Sequence, residues 1–72
     1  MKTILVFKTS VKQKGEVNQL RPWLNKLVNS NGCWNFDLED CDKILRVETQ
    51  SLHAPTIASL LKNQGFYCEE LH

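Results

Sequence analysis

The chain has only three glycines, two prolines and two histidines in 72 residues, and none falls in a pattern that a cofactor or substrate requires. A phosphate cradle needs clustered glycines ahead of a helix, a nucleophile elbow needs a serine between glycines, and a zinc protease motif needs paired histidines on one helix turn. None of the three occurs. A chain of this length also has little with which to enclose a water-excluding pocket, so the sequence argues against an enzyme. An excess of charge of one sign is missing as well. The formal net charge is +1, which supplies no bulk attraction to nucleic acid or to an anionic membrane. No apolar run is long enough to cross a bilayer, because polar residues return at Lys8 after the short stretch Ile4 to Phe7. The three cysteines, Cys33, Cys41 and Cys68, are odd in number and lack paired spacing. A disulfide framework is therefore not expected, and a reducing, cytoplasmic setting is the simpler reading.

What is present is a clean alternation of periods. Thr3 to Val11 is β-branched and apolar enough for a strand, with Leu5, Phe7, Thr9 and Val11 on one face and Ile4, Val6, Lys8 and Ser10 on the other. Both faces of its first half are apolar, which marks a central strand. From Glu16 the period lengthens: Val17, Leu20, Leu24, Leu27 and Val28 form one stripe of an amphipathic helix, which Asn29, Ser30, Asn31 and Gly32 end. Pro22 interrupts this helix. Either the helix bends there, which is the reading we favour, or regular helix begins nearer Arg21 with Pro22 in its first turn.

Alternation returns with Trp34, Phe36 and Leu38 on one side and Asn35 and Asp37 on the other, then Leu45 and Val47 against Ile44, Arg46 and Glu48. Glu39, Asp40, Cys41 and Asp42 between them are poor strand formers, giving a hairpin with an acidic tip. Pro55 opens a second helix carrying Ile57, Leu60 and Leu61 inward, and Gly65 stops it. A last strand covers Phe66 to Leu71, with Phe66 and Cys68 inward. The whole chain, residues 1–72, reads as one domain of α+β class. Its βαββαβ order predicts a ferredoxin-like fold, a four-stranded antiparallel sheet with both helices on one face.

The strand ILVFKTSV, the paired strands CWNFDLEDCDKILRVE and the closing segment IASLLKNQGFYCEEL together resemble a heavy-metal-associated domain, the small fold of copper chaperones and of copper-ATPase amino-terminal modules. The resemblance spans nearly the whole chain and rests on element order, core pattern and the Gly65-Phe66 pair. That family holds its metal on two thiolates in a Gly-Met-Thr-Cys-x-x-Cys loop between the first strand and the first helix. Here the matching stretch runs Val11, Lys12, Gln13, Lys14, Gly15, Glu16, Val17, with lysine and valine about where the thiolates would be. An ammonium cannot coordinate a soft cation and repels it. The resemblance thus implies the fold and argues against the family's metal chemistry. Lys12, Lys14 and Gly15 form a vestigial loop, and no cofactor is expected.

Outside that loop the candidate ligands are weak: Cys41 at the hairpin tip, and Cys33 with His53 at the other end of the sheet. The carboxylates Asp37, Glu39, Asp40 and Asp42 lack the alternating spacing and glycine of a calcium loop. RNA-recognition domains share this topology but stack bases on strand aromatics, and KILRVE has none, so nucleic acid is not the expected partner. The remaining reading is a non-catalytic interaction or adaptor module. Its expected surface is the open sheet face, with Ile4, Val6, Ile44 and Tyr67, docking a partner protein or a second copy. The competing readings are a monomer whose charged stems cover those groups, and residual metal handling through Cys41 or Cys33 in a non-standard or dimer-bridged site.

Overall fold

In the computed structural model, which describes residues 3–28, 32–39 and 41–71, six elements follow in the expected order. They are β1 (Thr3–Thr9), α1 (Lys14–Val28), β2 (Cys33–Asp37), β3 (Ile44–Thr49), α2 (Ala54–Asn63) and β4 (Cys68–Leu71). The strands form one antiparallel sheet in the order β2-β3-β1-β4. β1 is central, as its two apolar faces predict. The fold is the ferredoxin-like α+β arrangement.

The register fixes which side chains share a face. Phe7 lies opposite Leu45, and Val47 opposite both Leu5 and Trp34. These point toward the helices, where Phe7, Leu20, Leu24, Leu45, Val47, Ile57 and Leu61 are fully buried. The predicted helical stripe supplies Val17, Leu20, Leu24 and Val28 to this core, with Leu27 packed at its margin. Pro22 stands inside α1, so regular helix does not start near Arg21.

Three local devices set the ends of the elements. Glu16 reaches back so that its carboxylate accepts the backbone N–H groups of Lys12 (2.8 Å) and Gln13 (3.2 Å), satisfying donors that the first helical turn leaves open. The helix therefore begins at Lys14, two residues before Glu16. Gly65 follows α2 with φ +92. Its N–H donates to the Lys62 carbonyl while that of Phe66 donates to the Leu61 carbonyl, the bonding of a left-handed helix stop that only glycine adopts without strain. Gly32 precedes β2 for a different reason: a Cβ there would stand 2.2 Å from the Glu48 carbonyl oxygen. The predicted helix end at Asn29, Ser30 and Asn31 lies outside the described residues, as do Asp40 and His72.

Candidate functional site

The first strand-to-helix turn, where a metal carrier of the resembled family would keep its thiolates, is a backbone junction. The buried Thr9 hydroxyl donates to the Lys43 carbonyl (2.7 Å) and accepts the Val11 N–H (3.2 Å). Backbone bonds from Thr9 to Asp42 and Lys43, and from Ser10 to Tyr67, bring the hairpin tip and the approach to β4 to this same end. Lys12 is exposed beside them. The loop between β1 and α1 is shorter than the sequence implied, because Lys14 and Gly15 belong to the first turn of α1; the Glu16 cap places them in the helix. Val17, about where the second thiolate would be, is a core residue.

The weak metal candidates stay apart. Cys41 is exposed at the hairpin tip and Cys33 is exposed at the start of β2, so the length of that strand separates them. The Cys33 thiol donates to the Glu48 carboxylate at 3.1 Å. His53 caps α2 without a side-chain bond and borders a different cavity, with Thr3, Leu5 and Glu70. Among the described residues, no three His, Cys, Asp or Glu side chains gather as a metal site. Cys68 is buried, and that burial pushes its thiol up to about 11, against the opposing charge of Lys62.

The sheet face turned away from the helices carries the more distinctive feature. Across this face Ile4 opposes Glu48, Val6 opposes Arg46 and Leu71, and Lys8 opposes Ile44 and Glu69. Ile4 is 62% exposed, Tyr67 51% and Leu71 38%, and Val6 is half-buried between its neighbours. Ile44 departs from the expectation: it is on this face but only 5% exposed. Its cross-strand neighbours are Lys8 and Asp37, which are held by ion pairs to Asp42 (3.8 Å) and Arg46 (3.9 Å). Their stems flank it on both sides. The uncovered apolar strip is therefore Ile4, Val6 and Leu71, continued by Tyr67 along β4. Leu71 escaped the sequence reading, although alternation from Tyr67 through Glu69 places it on the same face.

Charge borders this strip unevenly. Lys8 and Arg46 are taken up by aspartates, whereas Glu48 and Glu69 have no ion pair among the described residues. Glu69 accepts the Tyr67 hydroxyl, a bond that, with the nearby carboxylate charge, raises the phenol above its ordinary value. No helix among the described residues is long and apolar enough to cross a membrane. In comparisons with known proteins, no family model, curated protein or solved structure matches the chain.

Proposed function

We propose that this chain is a non-catalytic interaction module, a heavy-metal-associated-like domain whose first turn serves the fold and whose open sheet face docks a partner protein. The observation that carries the reading is the strip Ile4, Val6, Leu71 and Tyr67 beside the carboxylates Glu48 and Glu69, which accept hydrogen bonds from Cys33 and Tyr67 but have no cationic partner among the described residues. Apolar groups exposed together rather than singly favour a surface that is covered in use. The carboxylates at its border select the chemistry of the cover: a segment carrying both apolar and basic side chains. A second copy of the same face would set like charges against each other, which disfavours a symmetric dimer. Three cysteines, odd in number and without paired spacing, fit a reducing, cytoplasmic setting.

The test is to select linear peptides from a random library against the folded protein and to map the winners by amide chemical shifts. Basic, apolar sequences that perturb β1 and β4 support the proposal; sequences that perturb neither strand refute it. Concentration-dependent dimerisation by light scattering, with no selected peptide, would assign the face to a second copy instead. A parallel titration of reduced protein with Cu(I) and Zn(II) against a competing chelator, with Cys41→Ser and Cys33→Ser variants, addresses metal handling. Tight binding lost in either variant would favour that chemistry over docking.

A further inference from the structure

A second surface lies on the opposite edge of the sheet. β2 is an edge strand, paired only with β3, so one row of its backbone N–H and C=O groups faces outward. α1 runs beside it, and between the two is an open groove of about 620 Å³. Two aromatic rings, Trp34 and Phe36, and two cations, Arg21 and Lys14, line it together with asparagines and aliphatic side chains. Among the described residues no Asp or Glu is part of the lining, and the nearest carboxylate contact is that of Glu48 with Cys33 at one end.

Its floor is held in place by side-chain contacts. Trp34 and Phe36 meet edge to face with centroids 5.9 Å apart, and the Trp34 indole N–H donates to the Asn25 side-chain oxygen at 2.8 Å. The Arg21 guanidinium lies over the Trp34 ring, 5.3 Å from its centroid, within the range of cation–π attraction. One Arg21 nitrogen donates weakly to Asn18 at 3.4 Å. Neither Arg21 nor Lys14 has a carboxylate partner among the described residues. A planar cation fixed against an aromatic, with donors to spare, is preorganised to take a carboxylate.

We infer that this groove docks an extended, acidic segment of a partner protein, which adds as a further strand on β2 and directs alternate side chains onto Trp34 and Phe36. Backbone pairing supplies register, the aromatic floor supplies contact area, and Arg21 and Lys14 select carboxylates. This site is separate from the open face and opposite to it in charge, so one domain bridges a basic partner segment and an acidic one.

The experiment selects random linear peptides against the intact chain in the Ile4→Asp background, which disables the open face. Enriched sequences are expected to alternate acidic and apolar residues and to shift amides of β2 and α1. Their affinity should fall about tenfold or more in Arg21→Glu, and in the separate variant Lys14→Glu, whose new carboxylate suits a helix N-terminus and preserves the fold. Of prolines placed at two adjacent central positions of the peptide, the one whose N–H would face β2 should abolish binding, because it removes a ladder donor. Enrichment of basic or uncharged peptides, unchanged affinity in Arg21→Glu, or tolerance of both prolines would overturn the inference. So would preferential binding of a single-stranded oligonucleotide in the same groove.

Discussion

Thr9 joins the first strand-to-helix turn to the hairpin tip through one hydroxyl. Replacing it with the near-isosteric valine leaves the Val11 N–H without its acceptor in a buried setting, a loss of about 1 to 3 kcal/mol. Urea denaturation of Thr9→Val should show that drop, with folded-state circular dichroism unchanged. Cys68 makes a different prediction. Its thiol ionises at an ordinary 9.0 when unfolded but near 11 when buried, so the folded state holds the proton more tightly. That contribution to stability is complete below pH 9 and disappears as pH rises through 11. A denaturation series across this window should show the decline, and Cys68→Ala should flatten it in part. The Tyr67 phenol is raised in the same direction by its bond to Glu69 and adds to the decline. Toward a disulfide reagent at neutral pH, the exposed Cys33 and Cys41 should react in the folded protein and Cys68 only on unfolding.

Each helix is bounded by a device whose removal has a definite sign. Gly65→Ala forces a side chain into the left-handed region and should cost about 1 kcal/mol. Gly15→Ala should do the reverse: nothing stands within 4 Å of a Cβ at Gly15, so the helix gains about 0.5 kcal/mol. Pro22→Ala restores an amide donor within α1 and should raise stability by about 2 kcal/mol after the unfolded chain's regained freedom is counted. Thermal melts of the three variants check all three signs. The elements themselves were legible in the sequence, because a period of two or of 3.6 is written in spacing alone. Val17, Leu20, Leu24 and Val28 could be read as a buried stripe without any knowledge of what they touch. The start of α1 was misplaced because its cap runs backward: Glu16 closes the amides of Lys12 and Gln13, and Gln13 gives no ordinary capping signal.

For the molecule as a whole, the two sheet surfaces differ in how far spacing could foretell them. Ile4, Val6 and Tyr67 were assignable to the open face by alternation, but the covering of Ile44 depends on register, which sets Lys8 and Asp37 beside it. The groove was beyond sequence reading for the same reason: Arg21 and Trp34 are joined only by tertiary packing. The proposed adaptor role rests on these two surfaces, acidic and apolar on one side and basic and aromatic on the other. The central claim is that the open face is the docking surface. The most direct measurement is the affinity of basic, apolar peptides selected on the intact chain, compared by calorimetry between the unaltered protein and Ile4→Asp. Ile4 is 62% exposed, so this variant should fold normally, and a loss of about tenfold or more is predicted. Equal affinity in the two proteins would contradict the account.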